Sequence, residues 1–327
     1  MDAQTERILA KLREDGRASY SDLSRELGMD RNLIARRVGE LLDSGDLKII
    51  ASVHPEMLGL NLYVHLAIRV AGPIHDVVTH LTHTDAAILV TETTGAHQIV
   101  ADLLLTDTRE LHAHLQELRG RRGVVEIAVD VYEEVRDNFF RGWHPDASSA
   151  SLDDDDLEII RILRHDGRAA YARIAEQVGL STSAVRSRVQ RLVDRHVIQI
   201  GAIPQRAQMN RDLLFGFGIC VTESVEPAVE FLVKHSGLEF LATTTGRFDL
   251  IATLGFASLR ELDALVTGLR ALPTFASSES WLHTRIARER YDRTLGVLTH
   301  PWRGSGRALS DGRGREYFVP PWQQSGM

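Results

Sequence analysis

The feature that most constrains this 327-residue chain is that it repeats itself. Shifted so that Ile8-Leu9 falls on Ile159-Ile160, it keeps one gapless register. Leu12 meets Leu163, Asp15-Gly16-Arg17-Ala18 meets Asp166-Gly167-Arg168-Ala169, Tyr20 meets Tyr171 and Gly28 meets Gly179. The register still holds at Thr93-Thr94-Gly95 on Thr244-Thr245-Gly246 and at Arg109-Glu110-Leu111 on Arg260-Glu261-Leu262. A solenoid would show many short periods. One long period means that a whole module is present twice.

Each copy opens with a helical half. In the first, Ile8, Leu9 and Leu12 recur at helical spacing up to Asp15-Gly16; Leu23 and Leu27 mark a second helix that Gly28 ends. Asp30 then caps a third helix with Ile34, Val38, Leu41 and Leu42 on its apolar face. The second copy places Ile174, Val178, Gly179, the cap Ser181, and the face Val185, Val189, Leu192 and Val193 at these positions. Two short helices about a glycine, with a longer one behind, describe a helix-turn-helix. Apolar, β-branched stretches at 47–53 and 197–203 lead out as strands. The remainder of each copy reads strand, helix, strand, strand, helix, strand, the ferredoxin-like pattern. In copy 1 the strands fall at 61–70, 86–93, 97–105 and 123–133, with helices at 73–83 and 108–119. In copy 2 the strands fall at 213–222, 239–244, 248–255 and 276–285, with helices at 226–235 and 258–270.

The expected fold is therefore α+β, a duplicated unit of a winged or helix-turn-helix three-helix domain followed by a ferredoxin-like βαββαβ domain. The helix-turn-helix domains span 1–53 and 152–204, the ferredoxin-like domains 54–137 and 205–294. A linker at 138–151 contains Pro145 and Ser148-Ser149-Ala150-Ser151, and a Gly/Arg-rich tail occupies 295–327. In that tail Trp302, Tyr317, Phe318 and Trp322 suggest docking on something. The acidic run Asp153–Asp156 suits a helix start, where carboxylates cap free N–H groups.

The third helices carry the chemistry. Arg31, Asn32, Ala35, Arg36 and Gly39 lie outward in copy 1, with Arg37 beside them; Thr182, Ser183, Arg186, Ser187 and Gln190 do so in copy 2, flanked by Arg188 and Arg191. Arg and Asn read guanine and adenine edges in the major groove, and Ser and Thr hold phosphate oxygens. The bland alternative is a solvated face, which the coincidence of turn and cap signals in both copies disfavours. A net charge of −7 does not suit a uniformly basic nucleic-acid coat. Resolved locally, six arginines between Arg168 and Arg195 outweigh Glu176 and Asp194, whereas Arg17 to Lys48 balances. Copy 2 is thus expected to be the stronger DNA anchor.

Other chemistry is thinly supported. The single Cys220 excludes an intrachain disulfide and a cysteine-cluster zinc site, and fits a reducing cytosol. No signal core or membrane-length apolar run is visible, so a cytoplasmic protein is expected. His80 and His83 share a helix face at a spacing that can bind metal, but copy 2 has Phe231 and Lys234 there, so ordinary surface histidines are the plainer reading. No nucleophile–base constellation or phosphate loop stands out. No cofactor, metal or enzymatic activity is expected.

The second copy closely resembles the leucine-responsive/asparagine-operon regulator (Lrp/AsnC) family, through Leu152-Asp153-Asp154-Asp155-Asp156, Asp166-Gly167-Arg168, Gly179-Leu180-Ser181 and the run from Val185 to Leu192. Copy 1 matches through Asp15-Gly16-Arg17-Ala18 and Arg36-Arg37-Val38. The resemblance implies a transcriptional regulator that binds double-stranded DNA through Arg31, Asn32, Ala35, Arg36, Arg37, Ser181, Thr182, Ser183, Arg186, Ser187, Arg188 and Arg191. It also implies self-association into a dimer or larger homo-oligomer through the ferredoxin-like domains. A small-molecule effector, commonly an amino acid, is implied beside a Thr-Gly-x-x-Asp loop. Copy 2 has Thr245, Gly246, Phe248 and Asp249 in that loop, and copy 1 has Thr94, Gly95, His97 and Gln98, without the aspartate. The same residues also suit a plain turn between strands. Carrying both copies in one chain suggests a pseudo-dimer on an asymmetric operator. The rival is an enzyme resembling siroheme decarboxylases, which share the fold and its pairing but depend on a histidine motif not found here. An architectural chromatin protein is a third reading, set apart by little sequence preference.

Overall fold

A computed structural model describes residues 2–137, 152–204 and 213–289, together with the backbone of two short strands further on. The first copy runs α1 (Ala3–Glu14), α2 (Tyr20–Leu27), α3 (Arg31–Asp43), β1 (Leu47–Val53), β2 (Leu62–Val70), α4 (His75–His83), β3 (Ala87–Thr93), β4 (Ile99–Leu105), α5 (Thr108–Arg119) and β5 (Val124–Asp137). The second repeats this order as α6 (Asp154–His165), α7 (Tyr171–Val178), α8 (Thr182–Asp194), β6 (Ile198–Pro204), β7 (Leu213–Val221), α9 (Glu226–Leu232), β8 (Leu238–Thr245), β9 (Leu250–Phe256), α10 (Leu259–Arg270) and β10 (Phe275–Glu289). The tail contributes β11 (Arg307–Ser310) paired with β12 (Glu316–Val319), which holds Tyr317 and Phe318. The linker 138–151, Trp302 and Trp322 lie outside the described residues.

The two helical triads form one folded unit. β1 and β6 pair antiparallel from Leu47↔Pro204 to Val53↔Ile198. A single apolar core gathers Ile8, Leu12, Ile34 and Val38 with Ile159, Leu163, Val185 and Val189. That core also takes in Leu58, Leu60 and Leu104, so the unit is seated on the first ferredoxin-like half.

The other eight strands close into one barrel in the order β10-β3-β4-β2-β5-β8-β9-β7. Each copy supplies four neighbouring strands in the arrangement expected of a ferredoxin-like sheet. The seams join copies: β5 pairs with β8 from Val131↔Thr245 to Asp137↔Leu241, and β10 pairs with β3 from His283↔Thr93 to Glu289↔Leu89. This pairing explains why β5 and β10 run about four residues beyond the expected ends, at 133 and 285. Edge backbone that would otherwise need solvent or a partner finds it on the other copy.

Candidate nucleic-acid interface

The turns into both third helices need glycine. Gly28 and Gly179 hold φ of 64° and 78°, left-handed values that end α2 and α7 without a Cβ clash. Asp30 then accepts hydrogen bonds from the backbone N–H groups of Asn32 and Leu33, at 2.9 and 3.0 Å, and Ser181 accepts from Ala184 at 3.1 Å. With Ile34 and Val38 or Val185, Val189 and Leu192 buried inward, the opposite faces are open. Arg31, Asn32 and Arg36 are exposed with Ala35 half-buried; Thr182, Ser183, Arg186, Ser187 and Gln190 are exposed on α8. Ser183, Arg186, Ser187 and Gln190, with Arg191, Asp194 and Arg195, line a shallow, open depression along α8.

Three of the arginines singled out from sequence have acidic or polar partners inside their own triads. Arg188 donates to Asp153 at 2.7 and 2.8 Å, to Asp156 at 2.9 Å and to Asp155 at 3.2 Å. Arg191 donates to both oxygens of Asp156, at 2.7 and 2.6 Å. Hydrogen bonds to Asp153 and Asp156 hold the Arg188 guanidinium protonated far beyond its ordinary range. Arg37 donates to Asp2 at 2.5 Å, to Thr5 at 2.6 Å and to Gln4 at 3.1 Å. These carboxylates stand at the starts of the first helices, Asp2 at α1 and Asp153, Asp155 and Asp156 at α6, ahead of the stretches 17–48 and 168–195. Those at α6 also begin that helix as expected, with Asp153 and Asp156 forming a capping box.

The loops at 94–98 and 245–249 share one structural task. Asp249 accepts from the Val221 N–H at 2.8 Å, and Gln98 accepts from the equivalent Val70 N–H at 3.0 Å. Thr244 and Thr93 likewise donate to the carbonyls of Phe248 and His97, at 2.7 and 2.8 Å. Thr94, Gly95, Thr245 and Gly246 are exposed, and Phe248 is buried. Burial, with the Arg247 guanidinium adding to it, pushes the His97 imidazole below its usual range.

Sequence patterns gave no sign of a polar cluster inside the barrel. His65 Nδ1 lies 2.8 Å from Asp102 Oδ1, and the Tyr132 hydroxyl donates to the same oxygen at 3.1 Å. Burial, then the Asp102 carboxylate, raises the Tyr132 phenol well above its usual range, so it stays a donor. The Trp281 ring stands 5.6 Å from His65, over Gly216, where a Cβ would come within 2.1 Å of the indole nitrogen. Gly216 is the counterpart of His65, so the copies meet through unlike faces. Elsewhere, His80 accepts from Arg121 and His83 bonds the Thr79 carbonyl. Among the described residues no group of three or more His, Cys, Asp or Glu is placed to hold a metal ion, and no helix is long and apolar enough to cross a membrane.

These features define a helix-turn-helix protein whose two triads are carried by a ferredoxin-like barrel. A family description for the AsnC-type helix-turn-helix domain matches residues 152–193, and one for a winged helix-turn-helix DNA-binding domain matches residues 1–45. The transcriptional regulator FL11 of Pyrococcus abyssi is 30% identical over 126 residues, covering 38% of this chain and 83% of its own. The regulator LysM of Sulfurisphaera tokodaii is 26% identical over 140 residues, covering 42% of this chain and 98% of its own. The chain belongs to the Lrp/AsnC family and is a DNA-binding transcriptional regulator of that type. Along most of its length it shares a fold with the siroheme decarboxylase NirDL, solved with an iron-uroporphyrin III analogue. The TM-score is 0.61 at 13% identity, over 90% of this chain and 97% of that one.

Proposed function

We propose that the protein is a sequence-specific regulator in which one chain does the work of a dimer, α3 and α8 each reading one half-site. The observation that carries this reading is the pairing of β1 with β6, which joins two triads whose outer helix faces differ. Arg31, Asn32 and Arg36 suit direct reading of base edges on one half-site. Arg186 with Thr182, Ser183, Ser187 and Gln190 suits a looser reading with phosphate anchoring on the other. Arg37, Arg188 and Arg191 serve to hold the triads together. In this reading the chain divides into 1–53, 54–137, 152–204 and 205–294, in a cytoplasmic protein whose barrels associate into homo-oligomers.

The loops at Thr94–Gln98 and Thr245–Asp249 are the proposed effector sites, for a small molecule such as an amino acid. Asp249 adds a carboxylate to the second that Gln98 lacks.

The test is selection of duplexes from a random library by the full chain, followed by footprinting with and without candidate amino acids. An asymmetric footprint with unlike half-sites is expected. Two equivalent inverted half-sites bound by one chain would sink the proposal, as would enrichment of no sequence. A tetrapyrrole absorption band in the purified protein would favour the enzyme reading instead.

A further inference from the structure

Both copies carry Asp-Gly-Arg-Ala where the first helix gives way to the second, and each motif reaches into the other triad. The Gly16 N–H donates to the Ile200 carbonyl at 2.7 Å, and the Gly167 N–H donates to Ile49 at 2.8 Å, so each loop is stitched to the opposite strand of the ribbon. Arg17 donates to the carbonyls of Gly167 and Ala169 at 2.6 and 2.9 Å. Arg168 returns the bond to Gly16 at 2.7 Å and a second to Ala18. Each guanidinium also lies over a tyrosine of the other copy, Arg17 at 4.3 Å from the Tyr171 ring and Arg168 at 4.9 Å from Tyr20. The glycines are required by closeness: a Cβ on either would stand 2.9 Å from a ribbon carbonyl. Tyr20 and Tyr171 are the first residues of α2 and α7, so a clasp on these loops fixes where each helix-turn-helix begins.

We infer that Arg17 and Arg168 are positioning residues for DNA recognition: their reciprocal clasp sets the separation and phase of α3 and α8, so one chain tolerates one half-site spacing. The inference rests on the proposed reading of two half-sites. Planar guanidinium groups suit the task because each bridges two carbonyls at once, which an ammonium group does not match in geometry. These two cations therefore act on DNA through the loops they hold.

The test uses the full chain and a duplex that the wild type has selected, with zero or five base pairs inserted between the half-sites. Five base pairs turn one half-site to the opposite face of the helix, since a turn takes about 10.5. The wild type should lose at least about tenfold in affinity, because only one unit then engages. In Arg17→Ala/Arg168→Ala that penalty should shrink to about threefold, with binding to each isolated half-site unchanged. Arg17→Lys/Arg168→Lys keeps the charge without the double bridge and should show the same relaxed spacing; Gly16→Ala/Gly167→Ala should do so by wedging the loops off the ribbon, and either serves if the alanine pair does not fold. An undiminished penalty in folded variants would overturn the inference, as would lysine variants that behave as wild type. A wild-type chain that enriches no sequence removes the two-half-site reading, and this inference with it.

Discussion

The two triads hold equivalent arginines in unequal surroundings. Arg37 sits against Asp2, Gln4 and Thr5, and Arg188 against Asp153, Asp155 and Asp156, which are the same positions in the repeat. One carboxylate and two neutral groups do in copy 1 what three carboxylates do in copy 2. The third of these, Asp156, is 1% exposed and also takes Arg191, whose place in copy 1 is Glu40. Copy 2 has therefore tied Arg188 and part of Arg191 into its own fold, while its outer face carries Arg186, Arg191 and Arg195 among hydroxyls, an amide and Asp194. In copy 1, Arg31 and Arg36 are exposed on the outer face. On the open faces, α8 and its C-cap present Arg186, Arg191 and Arg195 against Asp194, while α3 presents Arg31 and Arg36 against Glu40 and Asp43, so the exposed charge, like the charge along the chain, is more positive in copy 2.

The largest expected effect follows from the buried member of that cluster. Arg188→Ala leaves Asp156 with Arg191 alone; because Arg191 still bonds both of its oxygens, the loss should stay below the roughly 3–5 kcal/mol of a fully broken buried pair. Arg37→Ala, whose carboxylate partner is exposed, should lower the melting temperature much less. Calorimetry on the two variants checks this, and equal losses would break the comparison. The sign with pH is also fixed. Bonds from Arg188 and the Asp156 N–H hold the Asp153 carboxyl below its usual range despite partial burial. Its stabilising contribution is therefore full above the unfolded pKa, about 3.9, and fades as pH falls through the lower folded value. The difference between wild type and Arg188→Ala should narrow on the same acid limb.

Next in size are the outward arginines. Arg36→Ala and Arg186→Ala should each cost about 1–3 kcal/mol in binding to the selected duplex, with little change in melting temperature. Each loss should map to its own half-site, read by footprinting duplexes altered in one half at a time. A loss spread evenly over both halves would mean phosphate contact without base reading.

Smaller effects are expected at the loops at 94–98 and 245–249, the proposed effector sites. Asp249 and Gln98 accept from equivalent backbone N–H groups, those of Val221 and Val70, so an amide oxygen already serves this turn in copy 1. Asp249→Asn should therefore change stability by less than about 1 kcal/mol. If it also abolishes an amino-acid response seen in wild type, the carboxylate serves the effector besides the turn. An unchanged response would assign the residue to the turn alone.

Much of this architecture was legible because it is local. Apolar spacing, the Gly28 and Gly179 turns and the Asp30 and Ser181 caps place the triads, and the ferredoxin-like strand order follows from alternation and turn residues. The rest joins the two copies or the ends of a triad. The extra length of β5 and β10 exists for the barrel seams, and a run of aspartates read as helix caps does not announce that it also receives Arg188. Arg17 and Arg168 could have been found from one signal, the repetition of Asp-Gly-Arg-Ala in both copies. Nothing in one motif says that it bonds to the other.

The smallest prediction concerns a left-handed position that the two copies fill with different residues. Between α3 and β1, Gly45 holds φ of 78°, and at the same point between α8 and β6, His196 holds φ of 56°. An L side chain in this left-handed region costs about 1–2 kcal/mol. Glycine relieves that cost but gives up about 0.5–1 kcal/mol of backbone entropy on folding. His196→Gly should then raise stability by about 0.5 kcal/mol, measured by denaturant unfolding, while Gly45→Ala should lower it by about 1 kcal/mol. A loss greater than about 1 kcal/mol in His196→Gly would mean that contacts of the imidazole, rather than the turn alone, hold β6 against β1. The ribbon would then be fastened from copy 2 by a side chain that copy 1 does without.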